Sequence, residues 1–287
     1  MPIRKPTVAG MFYPAQEAAC RRQAQECLQG APTSALQRPI VGGMVPHAGW
    51  TFSGPTAGRV FAALAAQGSP ETLVLFGAVH SWGVGEASLY GVGSWRTPLG
   101  DLAIDEELAQ EVLRAAGGLV VNRPEAHTAE HSIEVQLPFI QVLFPQARIL
   151  PIAMPPLPDA QEIGREVARA ARTLGRHAPG IGSSDLTHYG PRYGHAPAGV
   201  GERALEWTRH NDERLLDLVV QMRASEIVAE AGAHLNACGA GAVAAAIAYA
   251  AERGALEGVL LQHITSHEVL PMGRPTDMVG YGAVVFA

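Results

Sequence analysis

The chain has 287 residues, of which 47% are hydrophobic and 17% charged, and its formal net charge is −6. This composition supplies a sizeable core and excludes an intrinsically disordered chain. The acidic balance argues against a general nucleic-acid-binding protein, which needs a basic face. The three cysteines, Cys20, Cys27 and Cys238, are too few for a disulfide framework and indicate a reducing compartment.

Short apolar runs alternate with amphipathic stretches along the chain. The predicted strands are Ile40–Val45, Thr72–Phe76, Ala87–Val92, Arg148–Met154, Gly180–Ser183, Gly258–Ile264 and Met278–Phe286. The predicted helices are Ala15–Gln29, Pro55–Ala66, Asp105–Ala116, Ser132–Phe144, Ala160–Leu174, Val200–Met222 and Gly239–Arg253. This alternation predicts an α/β fold of one domain, residues 1–287, with a largely parallel or mixed central sheet and helices on both faces.

Three local features refine this prediction. Asp105 is expected to cap the helix that follows it, since two further acids occupy the first turn. The proline-rich stretch 151–160 is interpreted as a strand-to-helix loop. The apolar run 237–251 is too short to span a bilayer and predicts a buried helix. The first residues lack the apolar stretch of a signal peptide, so we expect a cytoplasmic protein without a membrane partner.

Polar clusters follow several of these strands or begin helices. His47 follows the first predicted strand in VPHAGWTFSG, and His80 follows the second in LFGAVHSWG. The sequence EHSIE, residues 130–134, opens a helix, and GSSDLTHYG places Asp185 and His188 just after a short strand. Because such loops converge at one edge of an α/β sheet, these residues predict a metal site or an acid–base site. Neutral imidazole is the commonest transition-metal ligand.

Each residue also has a purely structural interpretation. A single histidine in a loop is more often a satisfied polar residue than a ligand, and free cysteine is usually a small buried hydrophobe. Cys238, however, precedes an Ala-rich helix, and a helix N-terminus favours the metal-binding thiolate. His127 fits either interpretation. The other histidines are taken as structural: His177, His195, His210, His234, His263 and His267.

The motifs together resemble a known family. The segments PHAGWTFSG, GAVHSWG, RTPLGDLAID, EHSIEVQLPF, SSDLTHYG and CGAG occur in the order typical of the Memo family, whose bacterial and archaeal members are called AmmeMemoRadiSam system protein B. The resemblance extends from about residue 4 to 286. It implies a fold like that of class III (LigB-type) extradiol dioxygenases, with non-haem iron at the strand ends.

The resemblance also implies roles for individual residues. The family's metal ligands fall on His47, His80 and Cys238. Its pocket residues, expected to be catalytic, fall on three further positions: His131, Asp185 and His188. The chain departs from the family pattern in GAVH, where GPSH is frequent. It departs again at Ala240, where many members carry an arginine that would contact an anion.

This ligand set favours redox chemistry. Two imidazoles and one anion leave coordination positions open, as in the 2-His-1-carboxylate sites that activate dioxygen on Fe(II). A thiolate in place of the carboxylate makes Cu or Zn competitive with iron. We therefore expect an Fe(II) enzyme acting on an unknown small-molecule or peptide substrate. The alternatives are a metal-handling or peptide-binding protein, since family members are described as binding phosphopeptides, and a zinc hydrolase. The resemblance further implies an AMMECR-type protein and a radical SAM enzyme as pathway partners.

Overall fold

The computed structural model describes residues 2–29 and 38–287. The strands are β1 Ile3–Arg4, β2 Gly42–Val45, β3 Thr72–Gly77, β4 Ala87–Leu89, β5 Ser94–Thr97, β6 Gly100–Ala103, β7 Val120–Asn122, β8 Arg148–Ala153, β9 Gly180–Ser183, β10 His188–Tyr189, β11 Gly258–Thr265 and β12 Met278–Phe286. The helices are α1 Glu17–Cys27, α2 Trp50–Ala65, α3 Glu106–Ala115, α4 Leu137–Leu143, α5 Ala160–Thr173, α6 Glu202–Val220, α7 Ala224–His234, α8 Ala240–Glu252 and α9 Ser266–Val269. Single turns of 3₁₀ helix cover Pro124–His127, Glu134–Gln136 and Pro191–Tyr193.

The large sheet has the order β10-β12-β2-β9-β3-β8-β4-β7, with β11 also paired to β12. Strands β2, β9, β3 and β8 are mutually parallel, whereas β12 and β4 run antiparallel to their neighbours in this group. A small sheet, β1-β5-β6, lies apart from it. The mixed α/β fold predicted from the sequence is thereby confirmed. Because β2 and β9 end in register at Val45 and Ser183, their following loops leave the sheet at the same edge.

Helices cover both faces of this sheet. Side chains of β12 alternate between the two faces: Val284 and Phe286 join one core cluster, and Ala283 and Val285 join the other. The first cluster is completed by helices α3, α5, α6, α7 and α8, and the second by α1, α2 and α4. Helix α8 is buried along nearly its whole length, as its Ala-rich sequence predicts. Within the described residues, no helix combines the length and apolarity needed to cross a membrane.

The predicted strands and helices are present, and their ends differ for physical reasons. Helix α2 begins at Trp50, ahead of the predicted Pro55, because the carbonyl of Phe12 accepts the otherwise unpaired Trp50 N–H at 2.8 Å. Helix α4 is shorter than predicted, because Pro138 lacks an N–H donor and the turn before it closes as a 3₁₀ helix. The cap at Asp105 is confirmed, since its carboxylate accepts the N–H of Leu108.

Some elements were not predicted. Helix α7 follows α6 after the three residues 221–223, of which Met222 has a positive φ, and the sequence interpretation placed no helix there. The sequence interpretation also omitted the hairpin β5–β6, the short strands β1, β7 and β10, and the short helix α9. Helix α9 carries a capping box between Thr265 and Glu268, a T-x-x-E signature that was readable in the sequence.

His127, for which the sequence allowed a structural or a functional role, is a buried core residue. Its ring packs edge-on against Tyr90 and Trp95, and its Nε2–H donates to the carbonyl of Ser88 at 2.8 Å. Among the residues that the structure describes, its Nδ1 finds no hydrogen-bond partner. Burial lowers the pKa of the His127 imidazole from 6.5 to about 4.

This pKa predicts a pH dependence of stability. Between about pH 4 and 6.5 the unfolded chain binds a proton at His127 that the folded chain does not, so acidification through this window lowers the free energy of unfolding. We expect a contribution of about 1.4 kcal/mol per pH unit within the window. Urea unfolding of wild type and His127→Gln between pH 4.5 and 7 measures it. Equal pH slopes for the two proteins would contradict the assignment.

Candidate metal centre

Three imidazoles meet at the edge of the sheet where β2, β9 and β3 end. One ring nitrogen from each of His47, His80 and His131 lies within 4.8 Å of the other two, so the three could hold a metal ion. The rings of His80 and His131 stack with centroids 4.8 Å apart, and the ring of His47 stands edge-on to both. Two of these histidines follow parallel strands, as expected for a site in an α/β sheet.

Hydrogen bonds fix the ring of His47. The hydroxyl of Ser183 donates to the carbonyl of Ser132 at 2.9 Å, so its oxygen must accept from His47 Nδ1, also at 2.9 Å. His47 Nε2 is therefore left with a free lone pair. The carboxylate of Asp185 accepts the backbone N–H of His47 at 2.7 Å and holds its main chain in place. Burial lowers the pKa of the His47 imidazole and keeps it neutral.

The ring of His80 is fixed by a carboxylate. Glu130 accepts from His80 Nδ1 at 3.1 Å and from the His80 backbone N–H at 2.7 Å. The same carboxylate accepts the backbone N–H groups of His131 and Ser132, both at 2.8 Å. A carboxylate behind a histidine is the usual arrangement at metal sites, because it fixes the tautomer and makes the other nitrogen a better ligand.

Cys238 lies beside two of the imidazoles. Its sulfur is 3.2 Å from His47 Nε2 and within hydrogen-bonding reach of the His80 ring. Burial alone would raise the pKa of the thiol, but His47 and then His80 lower it to about 7. For His80, burial would lower the pKa of the imidazole, and the hydrogen bonds to Cys238 and Glu130 instead raise it to about 10. The proton-bearing ring of His80 thus stabilises the anionic sulfur, which also lies beside the free Nε2 of His47.

The position of Cys238 depends on glycine. Gly239 follows it, and a Cβ on Gly239 would lie 2.3 Å from the carbonyl oxygen of Ser183. A Cβ on Gly241 would lie 2.0 Å from the carbonyl oxygen of Pro155. Only glycine therefore allows the start of α8 to approach the strand ends so closely. These glycines, which mimic a dinucleotide-binding fingerprint in the sequence, serve helix packing.

The donor set fits a metal ion. Ligands about 2.0 Å (N) and 2.3 Å (S) from one ion are separated by roughly 3.1 to 3.5 Å at ordinary coordination angles. The 3.2 Å between Cys238 Sγ and His47 Nε2 falls within this range. Neutral imidazole nitrogens and a thiolate are the donors that iron, copper and zinc accept in proteins. The identity of the metal does not follow from the donors alone.

The centre opens into a cavity of about 710 Å³. Aromatic and apolar side chains line it, among them Phe12, Phe52 and Leu270, and charged groups lie on its walls. Asp185 and His188 face the same cavity. The ring of His188 packs on Tyr193, and its Nδ1 lies 3.1 Å from the carbonyl of Leu186, so it stands apart from the three grouped imidazoles.

Comparison with known proteins agrees with these motifs. The sequence profile of the Memo-like proteins matches residues 4–285. The chain belongs to the Memo-like family. It is 39% identical over 298 aligned residues to a MEMO1 family protein of Thermococcus onnurineus, with 99% of each chain covered. It is 37% identical over 297 residues to one of Thermococcus kodakarensis and 38% identical over 296 to one of Pyrococcus abyssi, again with 99% of each chain covered.

In this Memo-like chain the structure brings together most of the residues that the sequence singled out. The structure groups the rings of His47, His80 and His131, the last of which was expected to be catalytic, and Cys238 contacts His47. Asp185, also expected to be catalytic, accepts the backbone N–H of His47 at 2.7 Å. Trp50 is buried in the core and donates to the carbonyl of Val135 at 3.0 Å, whereas Phe52 lines the cavity.

Other cavity residues were missed by the sequence interpretation. Phe12, Arg192 and Arg274 are far from the motifs in sequence, and His267 was taken as structural. They reach the cavity through tertiary folding, and no local pattern marks them. Glu130 lay inside the EHSIE motif, but its role as an acceptor for four N–H groups depends on the loop after β3.

The Glu130 contacts predict the effect of a conservative substitution. Glu130→Gln places an amide N–H₂ against N–H donors and releases the His80 ring, so we expect metal affinity to fall by about 10- to 100-fold. Anaerobic titration with Co(II), followed by visible absorbance, measures this change. Glu86→Gln, an exposed carboxylate paired with Arg123, is the matched control and should bind Co(II) like wild type. Equal affinity of the Glu130→Gln variant and wild type would contradict the role of the carboxylate.

Proposed function

We propose that this chain is a metal-dependent redox enzyme that holds Fe(II) on His47, His80 and Cys238. The observation that carries the proposal is the convergence of two fixed imidazole nitrogens and a thiol of lowered pKa, about 7, at one point. Three protein ligands on one side of an ion leave positions open toward the cavity for a substrate. Bound Fe(II) would supply one-electron chemistry and activation of dioxygen.

The residues around the ligands have separate tasks. His131 lines the cavity, its Nδ1 lies 3.8 Å from the Glu130 carboxylate, and none of its ring nitrogens is fixed by a closer partner in the described residues. It is therefore free to exchange a proton with a substrate, the role of a general acid–base. Asp185 holds the His47 main chain, and Phe12 and Phe52 exclude water from one wall. His188 is the alternative proton carrier, farther from the grouped rings.

Two variants separate ligand from acid–base roles. We expect protein loaded anaerobically with Fe(II) to bind about one equivalent, and His47→Ala to lose most of it, because one of three ligands is removed. His131→Ala should retain the metal and lose O₂ consumption with a catechol substrate panel. Metal analysis by mass spectrometry and an oxygen electrode provide the two readouts.

A surface histidine supplies the control for these variants. The side chain of His210 is 80% exposed, so His210→Ala should match wild type in both measurements. Unchanged iron content in His47→Ala would overturn the ligand assignment. Loss of iron in His131→Ala would make His131 a ligand instead of the acid–base residue. Stoichiometric zinc in protein purified without added metal, together with no O₂ consumption, would favour a zinc hydrolase.

A second candidate function is the binding of an anionic peptide or small molecule, and two arginines favour it. Arg192 and Arg274 line the cavity, and within the described ranges neither guanidinium forms an ion pair with a carboxylate. Arg274 donates to the carbonyl of Val200 at 2.9 Å, and the backbone N–H of Arg192 donates to Asp277. Guanidinium groups recognise carboxylate and phosphate through paired hydrogen bonds.

Calorimetry with a tyrosine-phosphorylated peptide and its unphosphorylated form tests this candidate. We expect Arg192→Met and Arg274→Met each to weaken binding of the phosphorylated peptide by about tenfold, the loss of one charged hydrogen bond. Arg38→Met, on the surface beside Glu257, should leave binding unchanged. Equal affinity for the two peptides, or no effect of either substitution, would rule this binding mode out.

A further inference from the structure

We propose that the N-terminal strap, residues 4–13, positions the metal centre through a buried ion pair between Arg4 and Glu134. The inference rests on the proposed metal function and goes beyond it, since none of the ligands lies in this strap. The segment it would position, residues 127–134, contains both Glu130 and His131.

Arg4 ties the strap to this segment at three points. Arg4 is 5% exposed, and its guanidinium pairs with the fully buried carboxylate of Glu134. It also donates to the carbonyl of His127 at 3.1 Å and to the carbonyl of Glu130 at 2.6 Å. The plane of the Trp95 ring lies under it, 4.4 Å from the guanidinium carbon. Arg4 thus fixes both ends of the segment that holds Glu130.

Glu134 gathers donors from the rest of the strap. Its carboxylate accepts the backbone N–H of Thr7 at 2.8 Å, that of Val8 at 3.0 Å and the hydroxyl of Tyr13 at 2.9 Å. A carboxylate that is satisfied by this many donors has one geometry. The buried pair therefore sets where the strap runs as well as where the segment lies.

The strap ends at the metal centre itself. The Phe12 ring meets the His131 ring edge-on, with centroids 4.9 Å apart. The Phe12 carbonyl accepts the N–H of Trp50, just after the loop that carries His47. One continuous piece of chain therefore contacts His131 and the loop of His47, and it holds the backbone of Glu130, which orients His80. This connection makes the Arg4–Glu134 pair a positioning device for all three imidazoles.

A carboxylate that is equally buried but remote from the centre, paired with more exposed arginines, provides the control. Asp105 is fully buried and pairs with Arg148 and Arg176. We compare Glu134→Gln with Asp105→Asn, and add Tyr13→Phe as a milder change that removes a single donor to Glu134. Circular dichroism and urea unfolding identify which variants remain folded, and Tyr13→Phe keeps the comparison open if Glu134→Gln does not fold.

The first readout needs no metal. Diethyl pyrocarbonate modification of His131, mapped by peptide mass spectrometry, should be several-fold faster in Glu134→Gln than in wild type and intermediate in Tyr13→Phe. Asp105→Asn should match wild type. Equal His131 reactivity in wild type, Glu134→Gln and Tyr13→Phe would overturn the proposal, and so would equal acceleration in Asp105→Asn, which would indicate a general loss of stability.

The second readout is Co(II) affinity in a double-mutant cycle. Glu134→Gln should weaken Co(II) binding by about tenfold, and the effect should shrink in the Glu130→Gln background, because the His80 ring is already released there. Full additivity of the two substitutions would contradict positioning through Glu130. If wild type bound no Co(II), the proposed metal function would fail, while the His131 reactivity would still decide the role of the strap.

Discussion

The site depends first on the carboxylate of Glu130. This group is almost fully buried and accepts four hydrogen bonds, two from His80 and one each from the backbones of His131 and Ser132. Burial alone would raise its pKa, but these donors hold the pKa well below the usual range for glutamate. The carboxylate stays ionised, and its charge joins the loop after β3 to the segment before α4.

The neutral hydroxyl of Ser183 holds His47 as the carboxylate of Glu130 holds His80. Ser183 ends β9, donates to the carbonyl of Ser132 and accepts from His47, so it joins the strand end to the same segment. The two histidines therefore differ in their partners, a hydroxyl for His47 and a carboxylate for His80. Burial lowers the pKa of the His47 imidazole, whereas for His80 the hydrogen bonds to Cys238 and Glu130 outweigh burial and raise the pKa. One ring is a neutral donor, and the other is paired with anions on both sides.

The sequence predicted the fold class and the edge of the sheet where the site lies, because hydrophobic periodicity and strand-end loops are local properties. The resemblance of its motifs to the Memo family implied His47, His80 and Cys238 as ligands, although 191 positions separate the first from the last. The sequence did not predict that His131 would stack on His80, since this contact depends on the four-way acceptor Glu130. The early start of α2 at Trp50 and the position of the cavity arginines also depend on tertiary contacts. Helix α7 depends on the turn at Met222 that ends α6.

The loop PHAG shows why the site is rigid. The Pro46 carbonyl accepts from Gln136 at 2.8 Å, the His47 N–H donates to Asp185 at 2.7 Å, and the Trp50 N–H donates to Phe12. Each partner comes from a different part of the chain, so the loop cannot shift without breaking contacts with several others. A metal ion that bound in this site would therefore meet ligand atoms whose positions are already fixed. The thiolate of Cys238, beside His47, favours a soft ion, whereas His131, stacked on His80, would complete a harder set of three nitrogens.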